Sequence, residues 1–252
     1  MLTSTIAWEI ASFILLAIGF EVWERIRPAS RGSRLAHLRL DLLSFAVGVL
    51  FVWSSRGAID ALCSQFQFSQ LSAGLDHLRS LPVWQQVIIG FLIIDFTVYW
   101  IHRAQHRFDL LWRTHSWHHS SEHVNWLSGF RTSFLHSLLY SLPQTFVAIH
   151  LLNLGPIEAG IGFAIGIFIQ LWDHANADAN IGWLRYLFIR PQDHRVHHAA
   201  DWHRGMNFGF IFSIWDRLFG TYVDPASMPR HYRLGLGVSL SRGVIPRMLV
   251  GV

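Results

Sequence analysis

Long apolar runs alternate along this chain with short, densely polar joints. Five runs stand out, at about residues 5–23, 40–53 (extendable toward 61), 83–101, 134–154 and 157–172. About 20 apolar residues cross a ~30 Å hydrocarbon core as a helix, so the first and third runs predict full spans. The second is shorter, and the last two are interrupted. "NLGP" at residues 153–156 is a turn signal that predicts a helical hairpin from the fourth and fifth runs. Pro143 predicts a kink in the fourth, because its ring leaves a carbonyl without a donor. Gly162 and Gly166 predict a small-residue face for close helix packing. Residues 182–188 and 208–219 are apolar but too short or broken to span, and are expected on the membrane surface or capping a site. No strand pattern long enough to form a sheet is present.

Composition supports a membrane protein. Of 252 residues 52% are hydrophobic and only 14% charged, whereas soluble domains carry roughly 25% charged residues. The 12 tryptophans suit membrane interfaces. The excess of 20 Lys+Arg over 16 Asp+Glu is modest, and fits topology rather than nucleic-acid binding. No basic residue precedes the first run, while Arg25, Arg27, Arg31, Arg34 and Arg39 follow it. That order argues against a cleaved signal peptide and makes the loop cytoplasmic by the positive-inside rule. The N-terminus and the loop at residues 58–82 then lie outside. The third run delivers His102 to the cytoplasmic side, the hairpin returns His136 and His174 to it, and everything from Ala175 onward stays there. The single cysteine, Cys63, can form neither an internal disulfide nor a thiolate metal site, and is read as structural.

Histidine is the compositional anomaly. The chain has 16, and 13 of them fall between His102 and His203. His102 and His106 are four apart at the end of the third run, with Asp95 and Tyr99 on the same stripe. His115, His118 and His119 follow an HxxHH spacing, which His194, His197 and His198 repeat, so that one helical turn can aim three imidazoles at one point. His174 adds a further ring. These nine imidazoles exceed what one ion takes and suit two adjacent ions. Imidazole favours iron, zinc, copper or nickel. There is no HExxH pair of a zinc peptidase and no Glu-x-x-His pair of the soluble di-iron bundles. Carboxylates would be needed to orient the imidazole N–H groups and offset charge, and Asp95, Glu122, Asp173, Asp193 and Asp201 are candidates. His37, His77, His150 and His231 read as structural or exposed, as do His123 and His203.

These motifs resemble the fatty acid hydroxylase and sterol desaturase superfamily of membrane-bound non-haem di-iron oxygenases. The match runs from about residue 95 to 222, through "DFTVYWIHRAQH", "HSWHHSSEHVNWLSGFR", "LWDHAN", "RPQDHRVHH" and "NFGFIFSIWDRLFGTY". The linking segments are most similar to the bacterial sterol desaturase-like branch and the alkylglycerol monooxygenases. The resemblance implies a di-iron centre held by His102, His106, His115, His118, His119, His174, His194, His197 and His198. Asn125, Arg131, Asn207 and Asp216 match family positions, and with Asp95 and His136 they are expected around the metals. Some relatives carry another histidine where this chain has Gln170, and a different run where it has "TSFLH", so His136 is either a replacement ligand or a pocket residue.

The implied reaction is reductive O2 activation followed by hydroxylation or desaturation of a membrane-lipid C–H bond, in a sterol, fatty acyl or alkyl ether lipid. Electrons would come from an external carrier of ferredoxin, cytochrome b5 or reductase type. The implied fold is an all-α polytopic membrane helix bundle of four to five spans with a cytoplasmic histidine-rich helical cap, in a bacterial inner membrane. One membrane-embedded oxygenase domain would comprise an N-terminal hairpin (1–81), a di-iron core (82–222) and a C-terminal cytoplasmic tail (223–252). A membrane metal-binding or transport protein is the main alternative. It would need ligands along a transmembrane path. A bis-histidine haem protein would need single histidines on facing helices.

Overall fold

The structure, a computed structural model, describes residues 2–32, 35, 37–65, 75–201, 205–229, 231–236 and 244–251, with backbone alone at 2–9 and 156. Part of the 58–82 loop, Arg34 and His203 therefore lie outside the described residues. The chain is all-helical, with no strand among the described residues and only isolated bridges pairing Phe188 with Phe212 and Ala199 with Leu234. Helix α1 is Leu2–Ile26, α2 Leu38–Gln65, α3 Val83–Arg107, α4 Asp109–Ser116, α5 Phe134–Thr145, α6 Pro156–His174, α7 Pro191–His197, α8 Ile214–Leu218 and α9 Val244–Val250.

Two of these, α2 and α3, are long and apolar enough to cross a membrane. Helix α2, at 28 residues, is longer than its apolar run suggests, because Arg56 and Asp60 interrupt the run but not the helix. The turn between α5 and α6 forms as its residues dictate. Asn153 takes φ +54°, Gly155 caps α6, and Pro156 occupies its first turn, where a missing N–H costs nothing. Pro143 lies inside α5, and the helix continues past it as a π-helical turn over Phe146–Leu151, a usual way to absorb a displaced hydrogen-bond ladder. The expected packing face of α6 is not one. Among the described residues a side chain added at Gly162 or Gly166 would meet nothing within 4 Å, so these glycines leave space there rather than admit a close neighbour.

Helix α2 packs along α5, and α1 along α6. Polar groups at the ends of α1 and α2 then lock the joints between helices. Glu24 accepts the backbone N–H of Trp126 at 2.7 Å and that of Asn176 at 2.9 Å, and Glu21 accepts the Trp126 indole N–H. Asn176 also pairs with Ser30 and accepts Ala29 N–H through its carbonyl. The arginine-bearing loop after α1 therefore sits against the segment that follows His174. Asp41, 0% exposed near the start of α2, accepts from Arg131 Nε at 2.6 Å, and Arg131 is also 0% exposed. The C-terminal segment returns to this end as well, with Ala200 N–H donating to Arg233 O and α9 packed on α5. The 208–219 segment covers α3, with Phe208 buried and Phe219 stacked on Tyr99. Within residues 182–188, Gly182–Tyr186 forms an exposed 3-10 turn that presents Trp183 and Tyr186 outward.

Removing one partner of a buried ion pair strands the other charge and costs about 3–5 kcal/mol. Asp41→Ala should therefore lower the thermal unfolding midpoint of the detergent-solubilised protein sharply, and Asp41→Asn less. A midpoint unchanged in the alanine variant would contradict a structural role for the pair.

Candidate metal centre

All nine predicted histidines converge at this end of the bundle, and each is at most 6% exposed. His102 and His106 come from the last turns of α3. His115 comes from α4, and His118 and His119 from the 3-10 turn that follows it. His174 ends α6. His194 and His197 lie on α7, and His198 is its C-cap. Pro191 starts α7, and the Asp193 carboxylate accepts the Arg190 backbone N–H at 3.0 Å and its guanidinium at 2.7 and 2.8 Å.

The rings form two groups, His102, His106, His115, His119 and His197 in one, and His118, His174, His194 and His198 in the other. Within each group the ligating atoms lie within 4.8 Å of one another. Each HxxHH triple is thus divided between the groups instead of aiming at one point. On a helix the i and i+4 members point about 40° apart, whereas i+3 lies on the other side of i, about 60° from it and about 100° from i+4. His115 and His119 go to the first group and His118 to the second. His194 and His198 go to the second and His197 to the first. Each triple therefore bridges the two sites.

Tautomers follow from the partners. His102 Nδ1 faces the Phe208 carbonyl at 2.8 Å, His197 Nδ1 faces Met206 O at 2.8 Å, His118 Nδ1 faces Arg131 O at 3.1 Å, and His174 Nδ1 faces Gln170 O at 2.9 Å. A carbonyl only accepts, so these Nδ1 atoms carry protons and the Nε2 lone pairs are bare. Yet His118 Nε2 and His174 Nε2 stand 3.1 Å apart, with no proton to share. Nε2 contacts of 3.0–3.1 Å also join His102 to His115, His115 to His119, His174 to His194 and His194 to His198. Charging the rings does not relieve this. Burial, reinforced by neighbouring imidazoles, holds His115, His118, His119, His194 and His198 well below the usual imidazole range. Such groups can hold metal ions, since a cation satisfies every converging lone pair.

The residues expected around the metals mostly hold backbone. Arg131 presents its carbonyl to His118 while its side chain binds Asp41 and Ser120. Asp216 accepts from Phe208 N, Gly209 N and Thr221 Oγ1, fixing the carbonyl that faces His102. Asn207, at φ +52°, ties Asp193 O to both backbone groups of Val223 beside the Met206 carbonyl. Asn125 accepts from Leu127 and Ser128 N–H and donates to His123 O. Asp95 staples the loop through Ile211 N, Phe212 N and Trp215 Nε1, and touches no imidazole. Of the other candidate carboxylates, Glu122 and Asp201 are exposed. Asp173 is buried, and neither of its oxygens has a hydrogen-bond partner among the described residues. His123 is buried but belongs to neither group, His150 faces Asp60, and His37 lies 3.9 Å from Glu122. His77 and His231 are exposed.

Asp41, Glu24 and Gln105 escape a motif-based reading. A lone carboxylate in an apolar run is the signal that marks Asp41. Gln105 clarifies His136. Its amide N–H donates to Thr114 Oγ1, which itself donates to Leu111 O, and lies 3.3 Å from His136 Nδ1. His136 Nδ1 therefore accepts, and the 3.0 Å contact with His115 Nδ1 is a donation from His115. His136 joins neither group, and stacks on Tyr140 at 4.2 Å. It does for His115 what backbone carbonyls do for His102, His118, His174 and His197. Losing such an outer partner typically weakens metal binding about 10–100-fold. His136→Ala should release metal to a chelator correspondingly more readily, and His136→Gln, which keeps an acceptor, should recover part of the loss. Equal retention in the alanine variant and the parent would contradict this role.

A cavity of about 310 Å³ opens from the histidines between α2, α3, α5 and α6. Its walls are largely apolar, with Val52, Phe91 and Phe163 along the length and Arg56 and Glu158 at the far end.

A family model described as fatty acid hydroxylase matches residues 87–221. Alkylglycerol monooxygenase of Xenopus tropicalis is 33% identical over 54% of this chain and 30% of its own length. The human alkylglycerol monooxygenase is 32% identical over 53% and 29%. An ornithine lipid hydroxylase of Rhizobium tropici is 31% identical over 66% and 50%. The matched region thus spans half or less of each of these relatives. No solved structure matches the chain.

Proposed function

The chain belongs to the fatty acid hydroxylase family, and from that premise we propose that it is an O2-dependent hydroxylase or desaturase of a membrane lipid built on two iron ions. The observation that carries the reading is the bare His118 and His174 nitrogen pair at 3.1 Å, matched by His102 and His115 at 3.0 Å in the other group. His102, His106, His115, His119 and His197 would hold one ion, and His118, His174, His194 and His198 the other. Bound there, an iron pair supplies reductive O2 activation, chemistry that no side chain provides.

The chain's own residues do the rest. Carbonyls of Phe208, Met206, Arg131 and Gln170, with His136, keep the protons on Nδ1 so that Nε2 stays available. Phe208 packs against His102, His106 and His197 and keeps water from that side. The cavity presents a lipid C–H bond to the histidines, since His102, His115, His118, His174 and His194 line one end of it. The names of the relatives point to ether and acyl lipids, and a sterol fits the same reading.

The proposed setting is a bacterial inner membrane crossed by four to five helices, with the metal end cytoplasmic. The arginine loop at Arg25–Arg39 lies at that end, as the positive-inside rule requires. With one cysteine this chain cannot ligate an iron–sulfur cluster by thiolates, and electrons would come from a separate ferredoxin, cytochrome b5 or reductase. Nothing favours the transport reading, because the histidines gather at one end instead of lining a path.

Cells expressing the chain under isotopically heavy dioxygen should accumulate a labelled hydroxylated lipid, detected by mass spectrometry of extracts, or a newly unsaturated one. His118→Ala and His197→Ala should each remove at least about 99% of that product, a loss of roughly 3 kcal/mol in transition-state stabilisation, while the protein still inserts. Undiminished product in both variants would sink the di-iron reading.

A further inference from the structure

Six glycines line the cavity, and they do so for two different reasons. A side chain at Gly48 would press on Phe130 O at 3.0 Å, and one at Gly90 on Leu152 at 2.9 Å. Gly129 and Gly209, like Gly48 and Gly90, admit close neighbours. Gly162 and Gly166 lie on the cavity wall with nothing among the described residues within 4 Å of an added Cβ. They fall on one stripe of α6 with Gln170 and His174, at four-residue intervals. At a rise of about 1.5 Å per residue, Gly166 stands about 12 Å and Gly162 about 18 Å from His174. The stripe is thus a smooth bed that ends at a proposed metal ligand.

Two independent features show that the fold does not fill this space itself. One cavity is lined by both His174 and Glu158, at the two ends of α6. The Thr145 hydroxyl, buried on its wall, has no hydrogen-bond partner among the described residues. The facing wall is α5, irregular from Pro143 through the π-helical turn Phe146–Leu151. A flexible chain can follow such a wall better than a rigid fused-ring system.

We infer that the Gly162–Gly166 face of α6 is the bed for a single long aliphatic chain of the substrate, and that these two positions set how long a chain is accepted. The inference rests on the functional reading above, which puts the reaction at the His174 end.

The test uses purified full-length protein in detergent, with saturable binding of decanoic and hexadecanoic acid followed by native mass spectrometry and metal counted on the same samples. Gly166→Leu should weaken hexadecanoic acid binding at least tenfold and leave decanoic acid, short enough to lie between His174 and Gly166, within about twofold. Gly162→Leu should give a smaller loss for hexadecanoic acid. Neither substitution meets a neighbour at Cβ, and Gly57→Leu, equally open but off the cavity, should change nothing. No saturable hexadecanoic acid binding by the unaltered protein, unchanged binding in Gly166→Leu, or equal loss of both acids would overturn the inference. Saturable cholesterol binding in place of the acids would do the same. Graded chain binding in protein that takes up no metal would instead overturn the functional reading and leave the bed standing.

Discussion

Bare imidazole nitrogens packed against one another are the constraint on which the rest of this structure depends. His118 and His174 each spend their only proton on a backbone carbonyl and then face each other at 3.1 Å. Buried polar atoms without partners are costly, and here the cost is concentrated in two groups of rings. A fold with this feature must hold its histidines rigidly while they repel, and must leave the repulsion to be relieved by cations.

The surrounding architecture meets that demand from distant parts of the chain. Asp41 on α2 fixes Arg131, whose carbonyl fixes His118. Asp216 fixes the Phe208 N–H, and the Phe208 carbonyl faces His102. Glu24 on α1 holds the segments after His123 and His174 at once. The carboxylates thus act one layer further out than the sequence suggests. They grip backbone, and backbone grips imidazole. This arrangement keeps these carboxylates off the ligating nitrogens.

Much of this is legible in the sequence because helical spacing is a strong local rule. The four-residue interval of His102 and His106 and the two HxxHH triples place imidazoles on buried faces whatever the rest of the chain does. The division of each triple between two groups is not legible, because spacing fixes the angle between rings and not which neighbour they meet. The roles of Asp41 and Glu24 are not legible either, since their partners lie 90 and 102 residues away. His136 resolves only through Gln105 and Thr114, whose hydrogen bonds decide which atom donates. Gly162 and Gly166 mislead for a different reason. Two glycines four apart look the same whether a helix packs on them or a cavity does.

The most direct test of the central claim is a Mössbauer spectrum of detergent-purified protein from cells grown on enriched iron, with total metal counted on the same sample. Two histidine groups bridged by their HxxHH triples predict about two irons per chain, both in imidazole-nitrogen surroundings. One iron per chain, or no stoichiometric iron even after anaerobic reconstitution, would contradict it.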